Sequence, residues 1–93
     1  MKGRDLIKKA VALTYDADTA HAPKVSAKGW GHIAEAIISI AKEHHIPLVE
    51  DKDLVSLLDT IEVEHEIPEN AFVVVAEIYA FLYRLNKKAR GHS

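Results

Sequence analysis

The stretch KVSAKGWGHIAEAIISIA, residues 24–41, joins a strand-like segment to a helix-like one and decides the fold class. Its first part, KVSAK, alternates weakly between polar and small apolar residues, which predicts a strand near a sheet edge. After Gly31, apolar side chains recur at helical spacing and form a single stripe, which predicts an amphipathic helix. The members of that stripe are Ile33, Ala34, Ile37, Ile38 and Ala41. A strand that leads directly into a covering helix is typical of an α/β domain.

The segment before this joint, AVALTY at residues 10–15, is apolar on both of its alternating faces. This pattern predicts a strand that is covered on both sides. After the joint, Pro47 disfavours helical backbone at the residue before it, so the first helix should end by His45 or Ile46. The next residues, IPLVE at 46–50, are predicted to form a third short strand.

The rest of the chain predicts two more helices. Leucine and isoleucine residues at helical spacing follow Asp51 and Asp53, whose carboxylates favour the N-terminal end of a helix. The last helix should begin near Pro68 and run into the basic segment 84–90, which suits a C-terminal end. The intervening segment, residues 61–68, is interpreted as a connector or an extended segment. The predicted fold is therefore α/β, with a small mixed β-sheet flanked by helices in the order β-β-α-β-α-α.

Length and composition describe one small domain, with its core at residues 10–85 and terminal tails at 1–9 and 86–93. The 93 residues carry a net charge of −2 and no cysteine. That charge gives no general attraction for nucleic acid, and the lack of cysteine excludes disulfides and thiolate chemistry. The most apolar stretch, residues 71–83, is shorter than the roughly 20 residues that a membrane span needs. The N-terminus lacks the apolar core of a signal peptide, so we expect a cytoplasmic protein.

One alternative function follows from the same strand-to-helix joint. Gly29, Gly31 and Ala34 spell G-x-G-x-x-A, a form of the dinucleotide-binding fingerprint, and acidic residues follow about 20 positions later. Against this interpretation, Lys24 and Lys28 lie in the preceding strand, where a central parallel strand would be almost wholly apolar. The chain also has room for only half of a dinucleotide fold. A small nucleotide-binding domain remains the alternative.

Other chemistry finds little support in the residue pattern. His44 and His45 are adjacent and diverge on a helix surface, so they would need tertiary neighbours such as the segment 64–66 to hold a metal ion. No serine lies in a G-x-S-x-G turn. We therefore expect no metal, no cofactor and no catalytic residue.

Five blocks of sequence, in order and without large gaps, resemble one protein family. They are AVALTYD (10–16), APKVSAKG (22–29), IAKEHHIPLVED (40–51), EIPE (66–69) and VAEIYAFLYRL (75–85). Together they are similar to the C-terminal cytoplasmic domain of the FlhB/YscU-type export switch proteins of flagellar and virulence type III secretion systems. The resemblance implies a protein-binding module of the export apparatus that helps to select substrates at the export gate. Its implied partners are export apparatus proteins, export substrates and a full-length membrane-anchored relative.

Two features depart from the family pattern. Full-length members carry a transmembrane region ahead of this domain and an Asn-Pro-Thr-His motif at which the chain cuts itself. Here DLIKK occupies the matching place, and the asparagines, Asn70 and Asn86, are followed by Ala71 and Lys87. We therefore expect no self-cleavage and no enzyme activity. The chain is most similar to small free-standing homologues that correspond to the fragment after cleavage.

The resemblance also implies a partner-binding surface at Ala22, Pro23, Ala76 and Tyr79. An apolar pair at the end of a connecting loop is unusual, and proline offers a rigid face without an N–H group. Ala76 and Tyr79 lie three apart on one helix face, where a small residue beside a large one forms a shallow pocket. The competing interpretation is that these two side chains belong to the core. A third possibility, an unrelated structural or regulatory protein, would be favoured by a gene neighbourhood without export or flagellar genes.

Overall fold

A computed structural model describes residues 8–16, 18 and 21–90 of the chain. The elements follow in the order β1 (Lys9–Thr14), β2 (Lys24–Trp30), α1 (Gly31–Glu43), α2 (Lys52–Leu58), a 3₁₀ turn (Glu69–Ala71) and α3 (Phe72–Arg90). The predicted α/β class, with a small sheet and flanking helices, is confirmed. In the described part of the chain, no helix has both the length and the hydrophobicity of a membrane-spanning segment.

The sheet differs from the prediction in one strand. β1 and β2 pair antiparallel, with an irregularity between Ala12 and Leu13. Within the described residues the sheet has only these two strands, so the prediction of a mixed sheet was wrong. The predicted third strand at residues 46–50 does not form, and all five of these residues are exposed. Apolar, β-prone residues make a strand only where a neighbouring strand accepts their hydrogen bonds, and Pro47 has no N–H to offer.

The connector between α2 and the 3₁₀ turn extends the sheet at the beginning of β2. The N–H of Val25 donates to the carbonyl oxygen of His65 at 3.0 Å, and the N–H of Glu64 donates to that of Val25 at 2.7 Å. A third bond runs from the N–H of Ile67 to the carbonyl oxygen of Pro23 at 2.9 Å. These bonds cover Val25, which is fully buried.

Helix α1 ends where Pro47 predicts. Its last helical residue is Glu43, His44 caps it, and His45 takes a positive φ of 57°. Ala34 and Ala41, from the predicted apolar stripe, are buried, and α1 packs on both strands. The stripe therefore faces the sheet through its small residues.

A second packing centre lies on the other elements. Five buried side chains form it: Ala22, Leu58, Ile67, Ala71 and Val75. Half-buried residues of β1, α2 and α3 surround them: Val11, Leu13, Leu54, Leu57 and Tyr79. Helix α2 begins as predicted, because a side-chain oxygen of Asp51 accepts a hydrogen bond from the N–H of Leu54 at 3.0 Å. This centre brings the loop before β2 against α3.

Candidate docking surface

The four residues predicted to bind a partner come from two segments that meet at this packing centre. Ala22 and Pro23 lie in the loop before β2 and are both buried. On α3, Tyr79 packs against the same centre, and Ala76 is exposed. The structure thus brings the loop and the helix together, while only the helix offers an exposed residue of the four.

The loop is held in place by its own backbone. Pro23 has no N–H group, and its carbonyl oxygen accepts the bond from Ile67 described above. Ala22 is only 3% exposed and is part of the buried cluster. These two residues therefore form a fixed base beside the helix.

Successive residues of α3 divide between the core and the surface. Val75 faces the core together with Ala71, the last residue of the 3₁₀ turn, whereas Ala76 is turned by about 100° from Val75 and is exposed. The interpretation of Ala76 as a core residue was therefore wrong. Tyr79 is half-buried, so it touches the core and still borders the surface.

Tyr15 is a neighbour of this surface that the sequence prediction missed. Its ring stacks on that of Tyr79, with centroids 6.1 Å apart and planes 26° apart. Tyr15 is 46% exposed, so the pair presents aromatic surface to solvent. Desolvation by burial raises the pKa of Tyr79 above its usual value. The only signal for this pair in the sequence was an aromatic residue at the end of the predicted strand 10–15.

The glycines of the G-x-G-x-x-A stretch have structural roles at the joint between β2 and α1. A Cβ atom on Gly29 would lie 2.8 Å from the Cβ atom of Ile33, so the helix itself covers this glycine. Gly31 takes a φ of +56°, which favours glycine, and its N–H donates to the carbonyl oxygen of Lys8 at 2.9 Å. A phosphate cradle needs an open backbone and free N–H groups. Neither the geometry nor the comparisons below support nucleotide binding.

Acidic and histidine side chains do not gather into a metal site in the part of the chain that the structure describes. His65 instead lies near Glu62, with Nε2 and Oε1 3.7 Å apart, and both side chains are largely exposed.

Asp59 is the centre of a different contact on the sheet side. Its carboxylate lies 3.4 Å from Lys9 Nζ, and its backbone oxygen accepts from Lys28 Nζ at 2.8 Å. These lysines tie α2 to the two strands.

Comparison with known proteins gives a family match over most of the chain. Residues 7–82 match the FlhB HrpN YscU SpaS Family. A Bacillus subtilis protein, YlqH, is 43% identical over 91 residues, with 98% of each chain covered. The flagellar biosynthetic protein FlhB of the same organism is 42% identical over 80 residues, or 85% of this chain and 22% of FlhB. The chain thus spans about a fifth of the FlhB relatives that it matches.

Solved structures agree with this match. The cytoplasmic domain of FlhB from Shewanella putrefaciens superposes with a TM-score of 0.82 at 32% identity, over 91% of this chain and 67% of that one. The native SpaS C-terminal domain superposes with a TM-score of 0.81 at 15% identity, over 89% of this chain and 97% of that one. At that identity the second comparison shows a shared fold.

Proposed function

Because the chain belongs to the FlhB HrpN YscU SpaS family, we propose that it is a protein-binding module that helps to recognise substrates at the export gate. Membership supports a role in the flagellar or type III export apparatus. Substrate recognition goes further than membership and is the proposal. We place the module at the cytoplasmic face of the gate, since the relatives of known structure include a cytoplasmic domain.

The observation that carries the proposal is the exposed Ala76 beside the half-buried Tyr79. An alanine next to a large aromatic ring leaves a shallow apolar depression on a helix surface. Ala22 belongs to the buried cluster against which Tyr79 packs, and the bond from Ile67 to Pro23 holds the loop, so the loop limits how far the Tyr79 ring can move. A short apolar segment of a substrate would bury its surface there. The protein would lose little conformational entropy, because its side of the contact is already ordered. Tyr79 brings an aromatic ring into this depression, and we expect it to influence which segments bind.

The test is Ala76→Asp with peptides that tile flagellar export substrates. A charge in an apolar contact is costly, so we expect binding to weaken at least about tenfold, which is about 1.4 kcal/mol. The matched control is Ala36→Asp, the same change at an exposed position of α1. Circular dichroism should show both variants folded, because both positions are exposed. Equal binding by both variants would show that the surface lies elsewhere, and failure of the wild type to bind any peptide would contradict the recognition role.

We further propose that the chain does not cut itself. The family reaction needs an asparagine followed by proline, and the sequence contains no such pair. Intact mass spectrometry of the purified protein after days at neutral pH should give one species of full mass. Two complementary fragments from an internal cut would contradict this.

A membrane-anchored relative is the partner that we propose for β1. In the described residues β1 pairs with β2 alone, so its other edge presents backbone N–H and C=O groups that another strand can bind. The segment 46–50 joins α1 to α2, which both contact β1, and it exposes the apolar side chains of Ile46, Leu48 and Val49. A strand from the relative would pair with β1 and cover part of this apolar segment. Co-purification with an FlhB-type relative tests the idea, and lack of association at micromolar concentrations would count against it.

A further inference from the structure

Helix α3 carries a line of apolar residues beside its core-facing side. Phe72, Ala76, Tyr79 and Tyr83 follow at spacings of four, three and four residues and share one helix face. Phe72 is 40% exposed and Tyr83 65% exposed, while Ala76 is exposed and Tyr79 half-buried. We call these four residues the α3 seam. A repeat of 3.5 residues is the spacing with which one helix packs along another.

The seam lies beside the residues that fix α3 to the domain. Ala71 and Val75 are buried in the core, Phe72, Ala76 and Tyr83 are exposed, and Tyr79 alone of the seam also packs against the core. Between Ala80 and Asn86, only Leu82 is half-buried and the other residues are exposed. The C-terminal half of α3 therefore leaves space for a second helix and for the domain that carries it.

The seam is complementary to itself when two copies run antiparallel. Positions 72 and 83, and positions 76 and 79, are both symmetric about the midpoint between Glu77 and Ile78. Phe72 of one copy then lies opposite Tyr83 of the other, which forms two aromatic pairs. Ala76 of one copy lies opposite Tyr79 of the other, so that a small residue faces a large one. This alternation is what knob-into-hole packing requires.

Charges favour the same direction. Glu69 lies three residues before the seam, whereas Lys87 and Arg90 follow it by four and seven residues. An antiparallel pair brings the 3₁₀ turn that carries Glu69 to the other helix's C-terminal end, whose sequence is basic, and it also opposes the two helix dipoles. A parallel pair would place like charges together. We propose that the α3 seam is a dimerisation surface whose occupant is the α3 seam of a second copy of this chain, in antiparallel orientation.

The predicted interface is small. It extends over about three helical turns on each copy, which places it among weak interfaces of less than ~1,200 Å². We therefore expect association in the micromolar range.

The dimer covers Ala76 and Tyr79, so a partner segment and a second copy would compete for these residues. The dimer itself can be measured without any export protein, so its failure is separate from failure of the docking function.

Sedimentation equilibrium of the purified protein, from low to several hundred micromolar, tests the proposal. We expect a monomer–dimer equilibrium in the wild type. Tyr83→Glu adds one negative charge to the exposed end of each seam, or two per dimer, and should weaken the dimer at least about tenfold. The matched control is Phe81→Glu, because Phe81 is also exposed but lies on the opposite side of α3. A wild type that stays monomeric throughout, or equal weakening by both variants, would overturn the proposal.

A charge exchange tests the antiparallel orientation. Glu69→Lys brings a positive charge near Lys87 of the other copy and should weaken the dimer, most strongly at low salt. Adding Lys87→Glu to the same chain restores opposite charges at both ends of the pair and should recover the affinity. Circular dichroism should show that both variants keep α3. Loss of dimer in the single variant without recovery in the double variant would contradict the antiparallel register.

Discussion

The side chain of Ile33 occupies the space that a side chain on Gly29 would need. A Cβ atom at position 29 would stand 2.8 Å from the Cβ atom of Ile33, a separation that requires one of the two to move. Ile33 lies in the first turn of α1, and Gly29 is next to the last residue of β2. The close approach therefore fixes how sharply the chain turns from strand to helix.

We expect Gly29→Ala to destabilise the domain by about 1–3 kcal/mol, the usual cost of an overpacked contact. Urea denaturation measures it. Adding Ile33→Ala should recover most of the loss, because it removes the atoms that the new methyl group meets. Gly31→Ala is the control: it meets no atom within 4 Å and suffers only from its positive φ. If Ile33→Ala rescued Gly31→Ala equally well, the contact would not be the cause.

The sequence predicts best those features that depend on neighbouring residues. Pro47 predicted the end of α1, and Asp51 predicted the start of α2, because capping and the exclusion of helix before proline act within a few positions. The absent third strand and the stack of Tyr15 on Tyr79 depend on segments far apart in the chain. A local sequence pattern does not show whether a distant segment will pair with a strand or stack on an aromatic ring.

The candidate site shows the same division. The family resemblance predicted the loop pair and the two helix residues as a partner-binding surface, and the structure brings both segments to one packing centre. The sequence did not reveal that Ala22 and Pro23 are buried while Ala76 is exposed. Helix α3 is apolar on most of its sides, so its periodicity could not distinguish a core face from an exposed one.

Asp51 offers a direct test of helix capping. We expect Asp51→Ala to cost about 1 kcal/mol, because the N–H of Leu54 loses its side-chain acceptor. Asp53→Ala is the matched control, since Asp53 lies in the first turn of α2 but does not cap it. Its removal affects only the interaction with the helix dipole, at about 0.3–1 kcal/mol. In thermal unfolding, Asp51→Ala should have a lower melting temperature than Asp53→Ala. The reverse order would contradict the capping role.

Tyr79 should make the domain sensitive to alkaline pH. Burial raises the pKa of Tyr79 in the folded state above the value of 10.0 that applies to an exposed tyrosine. The unfolded chain therefore releases this proton at lower pH than the folded chain does. The stability that the neutral Tyr79 contributes is complete below about pH 10 and is lost as pH rises through the folded pKa. Tyr79→Phe keeps the ring and removes the proton, and should flatten the fall in stability above about pH 10. An unchanged slope in denaturation experiments would refute this.

His45 closes α1 in a conformation that suits glycine better. Its φ is 57°, and the surrounding bonds are those of a Schellman motif, with the N–H of His45 donating to Lys42 and that of Ile46 donating to Ala41. A side chain in this left-handed region strains the backbone by about 1–2 kcal/mol, which glycine avoids at some cost in unfolded-state entropy. We expect His45→Gly to stabilise the domain by about 0.5–1 kcal/mol in urea denaturation. His44→Gly is the control, because His44 has a φ of −99° and gains nothing from glycine. His44→Gly adds the same flexibility without relieving strain, so it should be less stable than the wild type. Stabilisation by both variants would show that the backbone strain at His45 is not responsible.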